Sequence, residues 1–248
     1  MKKKAIIVSI KGFKLSNKEK LLLSKEKPWG LILFKRNIKS TNQIQKLIKD
    51  IKRCSKDKKF PILIDEEGIE VTRLRNIFNH NVNANFFGKL YDIDKISAVS
   101  IYKTYLRSLC SKLSKLGVNI NTIPVLDILR KKTHSIIGKR SFSEKKEIVK
   151  KLGNITIKEC HEQNILTVIK HIPGHGCSIE DSHLILPKVN LTEKSLNKTD
   201  FYPFKQPAAK LAMTAHILYS KIDSKNVSTF SKKIIKKIVR KKIGFKGI

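Results

Sequence analysis

The densest set of reactive side chains lies in one short stretch, Lys170-His171-Ile172-Pro173-Gly174-His175-Gly176-Cys177, with Asp181-Ser182-His183 close behind. Three imidazoles and two glycines directly after an apolar run describe a loop whose backbone and side chains can both approach a ligand. Asp181 and His183 are two positions apart, so on a loop the carboxylate can hold the ring and favour the imidazolium, which suits general acid–base work. The same residues suit a zinc cluster or a set of hydrogen-bonded structural histidines, so alone they leave catalysis and structure open. Other charged or imidazole groups also stand at the ends of apolar runs: Asp65, Glu66 and Glu67 after one, Asp127 after the next, Lys170 and His171 after a third, and His216 in a fourth.

Such groups need elements to bring them together. Six apolar runs, at 5–10, 30–34, 61–64, 118–126, 166–169 and 211–217, are β-branched, continuous and bounded by turn residues, as strands buried on both faces are. Helical periods separate them. Ser40 or Thr41 can cap a helix through Ile44, Leu47, Ile48 and Ile51. A longer helix carries Ile96, Val99, Leu106, Leu109, Leu113 and Leu116, with Gly117 at the C-cap. Ser141 and Glu144 have the capping-box form ahead of Ile148, Val149, Leu152 and Ile155. Residues 231–242 put Ile234, Ile235, Ile238 and Val239 on one face and basic residues elsewhere, as an outer barrel helix would.

Strand and helix alternate without a linker or a close repeat, which predicts one α/β domain with a parallel sheet over residues 1–248. The glycine-rich phosphate fingerprint of a dinucleotide fold is missing after the first run. Polar groups at many strand ends instead converge on one mouth in a (β/α)₈ TIM barrel, and that is the fold expected. Six strands and a seventh starting at 244–248 leave it incomplete at the C-terminus.

Composition narrows the partners. The net charge of +33 invites nucleic acid, but 45 of the 53 basic residues are lysine, whereas base readout favours arginine. The lysines are spread along the chain, so non-specific polyanion binding is the most this charge implies, with no specific nucleic acid. Cys54, Cys110, Cys160 and Cys177 lie far apart without a CxxC pair, against structural zinc and a disulfide framework. Lys11 ends the first apolar run after six residues, short of the roughly 7–15 of a signal peptide, and no run nears the ~20 of a spanning helix. The expectation is a cytoplasmic protein with no membrane partner.

The motif KHIPGHG with DSH downstream resembles glycoside hydrolase family 3, specifically the NagZ-type β-N-acetylhexosaminidases (β-N-acetylglucosaminidases). GLILFKRN at 30–37, ILIDEEG at 62–68 with Arg73, PVLDI at 124–128, IGKRSF at 137–142 and MTAH at 213–216 agree in order and spacing. By that resemblance the fold is a (β/α)₈ barrel. The resemblance implies that Asp65 grips sugar hydroxyls with Arg73 as its partner, and that Arg140, Lys170 and His171 bind substrate. It likewise implies that Asp181 and His183 form the catalytic dyad, with His183 the general acid/base. The reaction implied is removal of terminal β-linked N-acetylglucosamine with retention, through a covalent intermediate, in the recycling of peptidoglycan muropeptides. No cofactor and no metal are implied.

Three departures from the family stand out. Ile69 and Glu70 replace the usual Gly-Arg, and Cys177 stands where the family usually has Asp. The family's strand beginning like Gly244-Phe245-Lys246-Gly247-Ile248 continues into a Ser-Asp-Asp segment with the nucleophile, and the sequence stops before it. The expectation is a C-terminally incomplete barrel, aggregation-prone as an isolated chain and a monomer when complete. Two alternatives follow: a non-catalytic sugar-binding remnant, and a basic protein that binds polyanions non-specifically.

Overall fold

A computed structural model describes residues 3–130, 137–178, 185–205 and 207–248. Its strands are β1 (Lys4–Val8), β2 (Pro28–Leu33), β3 (Ile62–Ile64), β4 (Ile120–Asn121), β5 (Leu166–Ile172), β6 (Lys188–Val189), β7 (Leu211–Thr214) and β8 (Leu218–Tyr219). The helices are α1 (Asn17–Leu21), α2 (Thr41–Cys54), α3 (Ala84–Ile93), α4 (Lys95–Leu116), α5 (Lys146–Glu162) and α6 (Glu193–Lys198), followed by a π-wound segment at Ile234–Lys242.

The main sheet has six strands in the order β1-β2-β3-β4-β5-β7, every neighbouring pair parallel. Strands join the sheet always on the same side. A doubly wound fold reverses that order at a switch point, whereas a barrel does not. The sheet is a curled half-barrel with helices outside, the incomplete TIM barrel expected. Ala212 N–H and Ile248 C=O, 2.8 Å apart, continue the hydrogen bonding beyond β7.

Side-chain alternation sorts the two faces. Leu31 and Leu33 of β2 and Ile62 and Ile64 of β3 face the large core under the helices. Leu63, Ile120, Val168 and Leu211 point the other way and cluster with Ile32, Trp29 and Leu166 inside the curl. Both faces are therefore apolar, as the continuous runs imply.

Helix ends follow local chemistry. The Ser40 hydroxyl accepts the Gln43 N–H at the start of α2, which buries Ile44, Leu47, Ile48 and Ile51. Asp94 caps α4 by accepting the Ile96 and Ser97 N–H groups, and Gly117 ends it at φ 93°.

Two expectations need correction. Ser141 does not cap α5: it is buried, and its hydroxyl donates to the Asp127 carbonyl at 2.6 Å, so the helix begins only at Lys146 without a side-chain cap. The run at 118–126 forms a ladder only at Ile120–Asn121 and a lone bridge from Val125 to Lys170, because Pro124 has no N–H to give a ladder. The Ile123–Pro124, Lys170–His171 and Ile172–Pro173 peptide bonds are cis.

Candidate active site

The polar groups gather where β3, β4 and β5 end. Asp65, Glu66 and Glu67 follow β3 directly, Thr122 follows β4, and Lys170 and His171 stand near the C-terminal end of β5. Lys170, 2% exposed, serves three acceptors: Glu67 Oε1 at 2.5 Å, the Thr122 hydroxyl at 2.8 Å and Asp65 Oδ1 at 3.4 Å. Arg73 donates through Nη2 to Asp65 Oδ2 at 3.0 Å, and the Thr122 hydroxyl donates to Asp65 Oδ1. Arg140, in a turn at Gly138–Arg140, meets Glu67 with two bonds, Nε to Oε2 at 2.7 Å and Nη2 to Oε1 at 2.9 Å.

The cations keep the acids ionised. Burial pushes the Asp65 carboxyl up, but Lys170, Thr122 and Arg73 outweigh it and hold it down at about 2. Burial likewise opposes Glu67, and Lys170 and Arg140 bring it below the usual carboxylate range. The Glu67 carboxylate in turn strengthens the protonated state of Arg140 against burial.

A third carboxylate fixes the histidines. Asp127 is wholly buried; its Oδ2 lies 2.7 Å from His171 Nδ1 and its Oδ1 accepts the His175 N–H at 2.6 Å. Burial raises the Asp127 carboxyl, and the two histidines more than compensate. A carboxylate on Nδ1 holds the His171 ring in one orientation and leaves Nε2 for other partners. Burial keeps the His175 imidazole on the neutral side of its ordinary value. Among the described residues, no group of three or more His, Cys, Asp or Glu side chains is arranged to hold a metal ion.

Residues 2–248 match the family described as "Glycosyl hydrolase family 3 N terminal domain". The chain belongs to glycosyl hydrolase family 3. It is 32% identical over 247 residues to a beta-hexosaminidase of Neisseria gonorrhoeae, covering 98% of this chain and 68% of that one. A beta-hexosaminidase of Haemophilus influenzae is also 32% identical, with 98% and 69% covered. Among solved structures, NagZ from Neisseria gonorrhoeae in complex with N-trifluoroacetyl-D-glucosamine superposes with a TM-score of 0.90 at 30% identity, over 99% of this chain and 73% of that one. A family 3 beta-N-acetylglucosaminidase from Paenibacillus gives 0.86 at 27% identity, over 98% and 46%. Family 3 membership makes this a glycoside hydrolase chain, and the half-barrel is the family's N-terminal domain.

Ion pairs through Asp65 and Glu67 join Arg73, Arg140 and Lys170, and His171, next to Lys170 in the chain, pairs with Asp127; Asp65, Arg73, Arg140, Lys170 and His171 are the residues that the sequence singled out. Asp181 and His183 lie outside the described residues. His216 does not join them: it is exposed just past β7, beside Thr229 and the Phe230 ring. Sequence reasoning assigned no role to Glu67, Thr122 or Asp127. Three acids in a row after a strand, in a chain with 20 acids against 53 bases, were the available signal for Glu67. No helix is long and apolar enough to cross a membrane among the described residues.

Proposed function

We propose that the cup formed by Asp65, Arg73, Arg140, Lys170 and His171 binds a terminal β-linked N-acetylglucosamine residue, and that the protein hydrolyses its glycosidic bond with retention. The observation that carries this reading is the Asp65–Lys170–Glu67–Arg140 lattice, in which fixed donors and acceptors meet around one mouth of the curled sheet. Sugar hydroxyls both donate and accept, and ionised partners give the stronger bonds. Arg73 Nε is buried without a hydrogen-bond partner among the described residues, a donor suited to a sugar hydroxyl.

In this reading Asp181 orients His183, and His183 protonates the leaving oxygen and then takes a proton from water. The intermediate is a covalent glycosyl-enzyme, which by the family resemblance forms on the aspartate of the Ser-Asp-Asp segment that follows the strand beginning at Gly244. That chemistry calls for neither metal nor organic cofactor. The substrate is a glycan or muropeptide containing N-acetylglucosamine, recycled in a bacterial cytoplasm, and the barrel acts as a single domain. Release of chromophore from a β-N-acetylglucosaminide by the protein carrying the Ser-Asp-Asp segment, abolished in His183→Ala, supports the reading; no turnover by that folded protein contradicts its hydrolytic part.

One observation favours a second reading, sugar capture without turnover. Asp65 and Glu67 are bound to basic side chains and Asp127 to His171, so each grips or positions rather than attacks. Saturable binding of N-acetylglucosamine in calorimetry, together with a silent chromogenic assay, selects this reading over hydrolysis.

A further inference from the structure

Between residues 65 and 83 there is neither strand nor helix, yet this stretch delivers the Arg73 guanidinium to Asp65. Irregular chain of that length holds a side chain in place only if its own backbone groups are tied down. Glu66 ties them. Its carboxylate is fully buried and accepts the Thr72 hydroxyl at 2.5 Å, the Arg73 N–H at 2.8 Å and the Leu74 N–H at 3.2 Å. The Asn121 side chain fixes the Glu66 backbone in turn, accepting its N–H at 3.0 Å and donating to its carbonyl at 2.8 Å.

His80 links this hub to the scaffold. Its Nε2 is 2.6 Å from Glu66 Oε1, and its Nδ1 is 2.8 Å from the Tyr105 hydroxyl on α4. The proton inventory is consistent along the line: Nε2–H donates to a carboxylate, which only accepts, and Nδ1 accepts the phenolic O–H. Burial and the nearby Glu66 push the Tyr105 hydroxyl up, so it stays protonated and can donate. Ring contacts seat both members, with Phe78 5.2 Å from His80 and Phe87 5.0 Å from Tyr105 between centroids.

We propose that Glu66, His80 and Tyr105 are positioning residues, a hydrogen-bonded line from the half-buried Tyr105 of α4 to the buried Glu66 that holds Arg73 against Asp65 and thereby shapes the sugar-binding cup. It rests on the reading of Arg73 as a sugar ligand. None of the three touches the substrate; they act through the Thr72 hydroxyl and the backbone N–H groups of Arg73 and Leu74.

Paired substitutions test it. His80→Leu removes both bonds of the imidazole, whereas His80→Gln keeps an N–H for Glu66 and an oxygen for the Tyr105 hydroxyl. By calorimetry, His80→Leu weakens N-acetylglucosamine binding about tenfold, the loss expected for a misplaced charged donor, and His80→Gln stays within about threefold of the unaltered chain. Leu152→Ala, in the core of α5, lowers thermal stability without changing the affinity, which separates positioning from stability alone. Crystal structures of the variants supply the second readout: Arg73 leaves Asp65 in His80→Leu and returns in His80→Gln. Arg73 still seated on Asp65 in folded His80→Leu overturns the proposal. If that variant does not fold, Tyr105→Phe, which removes only the outer bond, decides the same way. Failure of the unaltered chain to bind the sugar strikes the sugar reading, while the position of Arg73 in the variant crystals still decides this one.

Discussion

Lys170 binds Glu67, Thr122 and Asp65 at once from an almost fully buried position. Removing one member of a buried ion cluster leaves the others uncompensated, which costs more than the pair contributed. Lys170→Met is therefore expected to lower stability by about 3–5 kcal/mol, read from urea unfolding. A loss below 1 kcal/mol would mean that water reaches the cluster. Asp65 gives a pH signature. Its folded carboxyl sits at about 2, below the ordinary ~4, so the stability it contributes is complete above ~4 and is lost as the pH falls to about 2. Acid titration of the unfolding free energy should be steep in that window, and Asp65→Asn should flatten it. An unchanged slope in Asp65→Asn would assign the acid sensitivity to other carboxylates.

At the scale of elements, the loop after β5 is held by close backbone approach. A Cβ at Gly176 would press on the Ile128 carbonyl oxygen, a backbone atom that cannot turn aside. Gly176→Ala is expected to displace this loop, destabilise the chain by about 1–3 kcal/mol and reduce activity more than Lys151→Ala on the exposed side of α5 does. Equal activities for the two variants would show the loop to be uninvolved. Long elements were legible where period and capping agree: α2 begins at Ser40 and α4 ends at Gly117, as their sequences imply. The two-residue strands β6 and β8, which pair with each other, carry too few residues to show a period. Ser141 misled because a capping pattern says nothing of burial, and the Asp127 carbonyl claims its hydroxyl. The acids and bases of the cup were visible as residues, but their pairing was not, since Lys170 and Asp65 are 105 positions apart. The Tyr105–His80 contact bridges 25 positions between a helix and an irregular loop, with no motif to announce it.

At the scale of the whole molecule, β1 is paired on one side only among the described residues, and it shows Ile6 (52% exposed) and Ile7 (44%) to solvent. An open strand edge beside apolar side chains is a template for another chain. The net charge of +33 opposes that contact, and salt screens the repulsion. The 248-residue chain is expected to self-associate increasingly between about 0.05 M and 0.5 M salt, and Ile6→Lys to suppress it. Light scattering that stays flat with salt would show the edge to be covered in solution. The claim that joins all three scales is that the half-barrel holds a preformed cup for one N-acetylglucosamine residue. Titration calorimetry of the folded chain with that sugar near pH 7 tests it most directly. One site per chain is expected, its heat lost in both Asp65→Ala and Arg73→Ala while each variant keeps its fold; no saturable heat, or binding that survives both substitutions, would contradict it.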